Sequence, residues 1–274
     1  ARLKADFNNW PVGDGAPWTD KNANGIYEPN FDDWLADNEK SGSDTPFFVG
    51  DEVLWFISND LDPGKTSNLY GTSPIGLEVQ TLVWGYDQNG PLGNMIFTKY
   101  TVKNKGTNSY DNAYLAKWSD PDLGDANDDL CGIDTSLVLG YIYNGFAKDG
   151  IYGVPPAAGY DFFQGPIVPG DPGDVARYNF GTRPGYKNLG VSSFAYYING
   201  DGVYVDPDLG VPKGSTQMYN YMRSLLYSGA PFVDPTTQLQ AKVCLAGDPI
   251  SKTGWVDGIL QSPGDRRFLM TSGP

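Results

Sequence analysis

A period of two runs through the stretch Met95-Ile-Phe-Thr-Lys-Tyr-Thr-Val-Lys-Asn104. Ile96, Thr98, Tyr100 and Val102 fall on one face, and the residues between them fall on the other. Successive side chains of a β-strand point to opposite faces, so this alternation predicts a strand.

Other segments of similar length, on both sides of this stretch, also have the residue pattern of a strand. Turns rich in Gly, Asn and Pro separate them. The segments are residues 52–59, 77–86, 113–119 and 136–143. Short strands with regularly spaced turn signals are typical of an Ig-like antiparallel β-sandwich. We therefore expect a mainly β fold with long loop-rich insertions and one short α-helix.

The composition and the alternation of residues change at about residues 50 and 145, which predicts three segments. The helix is expected at residues 216–228, with Ser215 as its cap and Gly229 at its end. A closing strand is expected at residues 267–271. The three segments are a loop-rich calcium-binding extension (1–50), the β-sandwich core (51–145) and an insertion rich in Gly, Pro and Tyr (146–274).

The composition excludes several classes of function. The net charge of −14 argues against nucleic acid and anionic membranes as partners, because both require a basic face. The chain has no histidine, which excludes a Ser-His-Asp triad and a histidine-ligated zinc site. No apolar run reaches the roughly 20 residues needed to span a bilayer, so we expect no membrane insertion.

The two cysteines, Cys131 and Cys244, cannot form a four-thiolate metal site. In a secreted protein they could pair as a disulfide, and they could equally be two buried thiols. The sequence leaves both alternatives open, because it does not show whether the two residues approach each other.

A first candidate calcium site is the stretch Asp20-Lys-Asn-Ala-Asn-Gly-Ile-Tyr-Glu28. Asp20, Asn22 and Asn24 alternate, a glycine follows, and Glu28 stands at the ninth position. A tight calcium loop needs this spacing, because alternating oxygen ligands converge on one point and the glycine permits the turn. The alternative is a turn held by its own side-chain hydrogen bonds.

A second candidate is a dense run of acidic residues between the strands at 113–119 and 136–143. Carboxylates this close repel one another unless a cation joins them, and calcium is bound by oxygen ligands alone. The alternative is a solvated acidic loop. The candidate ligands are Asp120, Asp122, Asp125, Asp128, Asp129 and Asp134.

Weaker candidates come from two other places. One is the pair Asp60 and Asp62. The other is a motif that recurs at residues 24–27, 149–152 and 201–204, and it adds Asp201, Asp206 and Asp208. This repeat is also the pattern of a recurrent turn leading into a strand.

Several stretches resemble a family of large secreted proteins from Bacteroidetes-type bacteria, which carry a C-terminal sorting domain for type IX secretion. They are Trp55 with residues 59–61, Tyr70–Gln80, Trp118–Asp129, Gly159–Pro166, Tyr219–Arg223 and Asp265–Gly273. The resemblance implies extracellular or cell-surface localisation and Ig-like β modules. It also implies that the chain is a processed piece of a longer polypeptide, although the sorting domain of the family is not found in it.

These observations lead to three hypotheses of function. The first is a calcium-stabilised extracellular structural protein, a self-associating subunit of a fibre or tube, with homo-oligomers or polymers as its assembly. The second is a carbohydrate- or surface-binding adhesin module that stacks polysaccharide on Trp and Tyr. The third is a glycoside hydrolase with paired carboxylates. Glutamate is scarce, with four among 33 acidic residues, so we expect no enzyme activity.

Overall fold

The computed structural model describes residues 1–37 and 42–274, which fall into two compact units. Unit 1 comprises residues 1–63 and 74–108, and unit 2 comprises residues 64–73 and 109–274. The predicted boundaries at residues 50 and 145 were drawn from composition, and they stay a prediction beside these contact-based units.

The prediction of a mainly β, antiparallel fold is confirmed. The named strand pairs are all antiparallel. Each predicted strand is present, and the strand at residues 52–59 has the predicted bounds. In the described part of the chain, the strands form three three-stranded sheets and three two-stranded sheets. The Ig-like strand order remains a prediction.

The described residues of unit 1 form a three-stranded antiparallel sheet, a two-stranded antiparallel sheet and two short helices. Brief 3-10 turns lie at Val12–Asp14 and Pro91–Asn94. The helices are α1 (Arg2–Asn8) and α2 (Phe31–Ala36), and the strands are β1 (Trp18–Thr19), β2 (Thr45–Pro46), β3 (Glu52–Asn59), β4 (Leu77–Gly85) and β5 (Ile96–Asn104).

The central strand of the three-stranded sheet is β4, which pairs with β3 and β5. The register places Phe56 opposite Thr81, and Thr81 opposite Tyr100. Residues opposite each other share a face, so one face carries a row of exposed apolar side chains. We call it the apolar face of unit 1: Leu54, Phe56, Ile96, Tyr100 and Val102.

The N-terminal aromatic side chains pack on one another. Phe7 is buried, and its ring lies 5.1 Å from Trp34 and 5.4 Å from Phe31. Trp34 also stacks on Phe48. Such ring contacts order a segment that contains little regular structure.

Unit 2 contains most of the remaining elements, and the 3-10 turn Ala126–Asp128 precedes its second strand. The helices are α3 (Pro63–Tyr70), whose first residue belongs to unit 1, and α4 (Pro212–Met222). The strands are β6 (Leu115–Ser119), β7 (Asp129–Asp134), β8 (Leu139–Asn144), β9 (Ala157–Asp161), β10 (Ile167–Pro169), β11 (Val175–Tyr178), β12 (Gly181–Pro184), β13 (Tyr186–Asn188), β14 (Ser193–Ile198) and β15 (Arg266–Ser272).

Two three-stranded sheets of unit 2 pack on a common core. Their strand orders are β14-β15-β6 and β7-β8-β9. The ring of Tyr160 meets the ring of Phe268 edge-on at 5.2 Å, and the side chain of Met270 covers Gly140. Every residue of β14 is buried. Since each buried large apolar side chain contributes about 1.5–3 kcal/mol, this core is the main source of stability in unit 2.

The predicted helix is present with different bounds: it begins at Pro212 and ends at Met222. Proline is favoured at the first position of a helix, and Val211 rather than Ser215 is the N-cap residue. Ser224 adopts a left-handed backbone conformation with φ 56°, so the helix ends well before residue 228. The prediction of its bounds was therefore wrong, because Leu225 and Leu226 lie beyond the turn at residues 223–224, and Leu225 forms an isolated bridge with Pro231.

Cys131 and Cys244 are free thiols in the core of unit 2. Burial raises the pKa of both thiols. The helices in the described ranges 1–37 and 42–274 are all too short or too polar to cross a membrane.

Candidate metal centre

Three carboxylates meet where two neighbouring strands of unit 2 begin and end. Asp120 directly follows β6, and Asp265 directly precedes β15. These strands pair in antiparallel register with Ser119 opposite Phe268, so the two loops lie at the same end of the sheet. Asp122 lies two residues further along, with its backbone in the left-handed region at φ 34°. One oxygen of each carboxylate lies within 4.8 Å of the others.

A single arginine lies within this group of acids. Arg267 Nε is 3.1 Å from Asp120 Oδ2, and Arg267 Nη1 is 3.2 Å from Asp265 Oδ1 and 3.7 Å from Asp206 Oδ1. Among the residues that the structure describes, Arg267 is the one basic side chain that forms ion pairs with these acids. Three carboxylates pair with this guanidinium and Asp122 lies beside two of them, which leaves an excess of negative charge.

This excess charge affects the acids themselves. The pKa of Asp120 is raised chiefly by burial and also by the charges of Asp122 and Asp265, while Arg267 opposes the shift. Asp120 Oδ1 is buried and has no hydrogen-bond partner, whereas the buried Asp265 Oδ1 has only its ion pair with Arg267. Unpaired buried carboxylate oxygens are costly unless a cation joins them. Asp120, Asp122 and Asp265, here called the acidic trio, could therefore hold a metal ion.

Two more predicted ligands lie at the end of the same loop. Asp128 and Asp129 are both buried, and Asp129 Oδ2 accepts a hydrogen bond from the Leu123 N–H at 3.1 Å. Burial raises the pKa of Asp129 to about 7; the Leu123 hydrogen bond opposes this, and the charges of Asp128, Asp122 and Asp149 add to it. Asp122 therefore lies close enough to interact with both groups of acids.

A residue that the sequence did not mark as a ligand organises this loop. Asp149 is buried, and its carboxylate accepts hydrogen bonds from the backbone N–H groups of Asp125, Ile151 and Tyr152. These bonds lower the pKa of Asp149, so it stays ionised. Asp149 joins the loop at 144–153 to the acidic loop at 120–129 and positions the latter.

We expect Gly124→Ala to weaken cation binding and to destabilise unit 2 more than Gly153→Ala. Both glycines have φ +73°, so an alanine carries the same backbone strain of about 1–2 kcal/mol at either position. A Cβ at Gly124 would lie 2.3 Å from Asp149 Oδ2, whereas nothing lies within 4 Å of a Cβ at Gly153. The displaced Asp149 should cost about 1–3 kcal/mol more, measured by denaturant unfolding and calcium titration. Equal effects of the two variants would contradict the role given to Asp149.

Several other predicted ligands serve as acceptors for backbone N–H groups. Asp60 accepts from the N–H groups at residues 75–77 in unit 1. In unit 2, Asp134 caps the turn at residues 136–137, and Asp125 Oδ1 accepts from the N–H of Asn127. Asp208 forms an exposed ion pair with Lys213. Asp62 is exposed.

The recurrent motif is a turn in both of its later copies. Asp149 Oδ1 accepts from the N–H groups two and three residues ahead, and Asp201 Oδ1 does the same with Val203 and Tyr204. This is the hydrogen-bond pattern of an Asx turn. Asp206 joins the acidic trio through Arg267, whereas Asp201 uses an oxygen for its own turn.

The loop at residues 20–28 of unit 1 closes on itself. Asp20 accepts from the N–H groups of Asn24 and Gly25. The side-chain amides of Asn22 and Asn24 donate to Glu28 Oε2 at 3.1 and 2.7 Å. The four predicted ligands therefore converge, and they also satisfy one another by hydrogen bonds. A cation here would require both amides to turn their oxygens inward.

The sequence did not single out Asp265 or Asp149 as part of a site. Asp149 stands in the recurrent motif, and Asp265 begins a stretch that carries the family resemblance. The pairing of β6 with β15 brings Asp265 to Asp120 across more than 140 residues of chain. A local pattern contains no signal for such a juxtaposition.

Comparison of the chain with protein-family models, with curated proteins and with solved structures gave no match.

Proposed function

We propose that the chain is a calcium-stabilised structural module of an extracellular or cell-surface assembly, in which it is a self-associating subunit. The main support for calcium binding is the acidic trio, in which one oxygen of each carboxylate lies within 4.8 Å of the others. The ligands are carboxylates without nitrogen or sulfur, which suits a hard cation such as calcium. The role is stabilisation, because a cation that binds only the folded state adds to its stability.

The extracellular part follows from the resemblance to secreted proteins and from the chemistry of calcium. Extracellular calcium modules bind with dissociation constants of roughly 10⁻⁴–10⁻³ M. Such an affinity requires few charged ligands and a partly open site. The acidic trio fits this description, since Asp122 is exposed and Asp120 is 25% exposed.

The self-association part rests on the apolar face of unit 1. Its side chains are largely exposed, up to 79% for Ile96. Both β3 and β5 are edge strands of their sheet among the residues that the structure describes. An apolar face and open strand edges favour pairing between chains. The two parts are separable, because they involve different residues.

A polar groove of about 340 Å³ lies beside the acidic trio. Asn199, Asp201 and Asp265 are among its lining residues, and none of the described lining residues is aromatic. A sugar ring would find no stacking surface there, so the groove does not favour the carbohydrate-binding hypothesis.

Sedimentation and negative-stain microscopy of the whole chain test the proposal, first in calcium and then in excess chelator at equal ionic strength. We expect ordered polymers in calcium, and chelation should lower the melting temperature of the chain, because loss of the cation destabilises unit 2. Ile96→Glu should abolish the polymers and leave calcium binding unchanged, because it places a charge on the apolar face. Ile250→Glu is the matched control, since Ile250 is 92% exposed on a loop of unit 2. A chain that stays monomeric in calcium would contradict the assembly role.

A further inference from the structure

A second polar group lies at the end of the core of unit 2, next to the acidic trio. Asp129 and Asn144 are directly opposite each other where β7 pairs with β8. They share a face of the sheet with Cys131 and Ile142, which are buried. Asp128 immediately precedes Asp129. We call Asp128, Asp129 and Asn144 the inner pocket.

Four side-chain atoms of the inner pocket are buried and lack hydrogen-bond partners. Asp129 is 1% exposed, Asp128 is 5% exposed and Asn144 is 8% exposed. Asp128 Oδ1, Asp129 Oδ1 and both amide atoms of Asn144 have no hydrogen-bond partner. Each unpaired buried polar group costs about 1–3 kcal/mol, and a charged group costs more.

Asn144 is the informative member of this group. A cluster of acids is often only a solvated surface, but Asn144 carries no charge and is not at the surface. Its amide oxygen lies on the same face as Asp129, at a position where a residue facing the core is ordinarily apolar. A buried amide with both atoms unpaired indicates that something in the pocket interacts with it.

A positively charged partner would satisfy these oxygens and offset the charge of the two carboxylates. In the part of the chain that the structure describes, no lysine or arginine forms an ion pair with Asp128 or Asp129. Arg267 is already engaged by Asp120, Asp206 and Asp265. A trapped water could satisfy the amide but would leave the charge uncompensated.

We infer that the inner pocket binds a second divalent cation of the calcium class, separate from the cation of the acidic trio. Asp128 Oδ1, Asp129 Oδ1 and the amide oxygen of Asn144 are its ligands, and backbone carbonyls or water complete the coordination. The identity of the cation rests on the proposed calcium function, whereas the residues of the pocket do not. Asp122, which lies near both groups, would couple the two cations.

Equilibrium dialysis with calcium, together with native mass spectrometry, counts the cations bound by each variant. We expect Asp129→Asn to bind one cation fewer per chain than the wild type, and Asp265→Asn to lose a different one. Asparagine at 129 keeps an acceptor for the Leu123 N–H, so folding should be retained and can be checked by circular dichroism.

Asn144→Asp provides a second, independent variant. A third carboxylate should strengthen calcium binding if a cation lies in the pocket. If water or a proton occupies it, the added buried charge should destabilise unit 2 in calcium and in chelator alike.

The outcomes separate this inference from the proposed function. An unchanged cation count in Asp129→Asn, with one cation lost in Asp265→Asn, would overturn the inner site and leave the acidic trio as a site. Loss of one cation in Asp129→Asn, with no loss in Asp265→Asn, would support the inner site. It would contradict cation binding by the acidic trio. A wild-type chain that binds no calcium would overturn both.

Discussion

Asp257→Asn should lower the free energy of unfolding of unit 2 by about 3–5 kcal/mol. Asp257 forms a two-pronged ion pair with Arg266, with Nε to Oδ2 at 2.9 Å and Nη2 to Oδ1 at 3.1 Å. Both side chains are almost completely buried, at 0% and 2% exposed. Asparagine would leave the guanidinium charged and uncompensated inside the core, which is the costly state of a broken buried pair.

The Asp257–Arg266 pair belongs to a hydrogen-bond network, so its disruption should lower the free energy of unfolding by more than the loss of one contact would. Asp257 Oδ2 also accepts from the Cys131 N–H, and Arg266 Nη2 donates to the Ser262 carbonyl at 2.7 Å. Asp208→Asn is the control, because the Asp208–Lys213 pair is exposed and such pairs contribute little. Denaturant unfolding of both variants gives the comparison. Similar losses would mean that burial of the Asp257–Arg266 pair has no energetic consequence.

Asp265→Asn should have opposite effects on stability with and without calcium. In chelator the acidic trio and Asp206 repel one another around the single guanidinium of Arg267, so removal of one charge should raise the free energy of unfolding. In calcium the wild type gains the binding energy of the cation, up to about 4 kcal/mol when calcium is a thousandfold above its dissociation constant. The variant loses most of this gain.

The reversal distinguishes a cation site from a network of salt bridges. If Asp265 only paired with Arg267, the variant would be less stable under both conditions. Asp134→Asn is the matched control, because Asp134 is used by its own turn and should respond equally in calcium and chelator. Unfolding curves in both buffers at equal ionic strength measure the effect.

The strands were predictable where the signal is local. The alternation in residues 52–59 gives a strand with those bounds, because side-chain direction along a strand depends on its own sequence. The pairing of strands is not local in this sense. The sequence favoured one sandwich from residues 51–145, whereas β6 pairs with the distant C-terminal strand β15, which in turn pairs with β14.

The helix shows a different limit. Its apolar stripe continued through Leu225 and Leu226, and nothing in the residue type of Ser224 announces a left-handed conformation. Pro212 was the better signal for the start, since its fixed φ suits the first turn. The bounds of a helix depend on the backbone conformation of the residues at its ends, and the spacing of apolar residues contains no information about that.

Only some residues of the candidate site were predictable from the sequence. Asp120 and Asp122 were recognised because dense acids in a Gly- and Asn-containing loop suit calcium. Asp265 comes from elsewhere in the chain and reaches Asp120 through the β6–β15 register, and Asn144 comes to lie opposite Asp129 through the β7–β8 register. Conversely, Asp60 and Asp134 matched the composition of a calcium loop but bind backbone N–H groups, a use that short acidic side chains share with metal binding.

Thermal unfolding of the wild-type chain, in calcium and in excess chelator at equal ionic strength, tests the central claim most directly. If a cation binds the acidic loop of unit 2 and stabilises the fold, calcium should raise the Tm by at least about 5 °C, and the shift should grow with calcium concentration. An identical Tm in both buffers would contradict the account, because carboxylates that hold a stabilising cation cannot be indifferent to its removal.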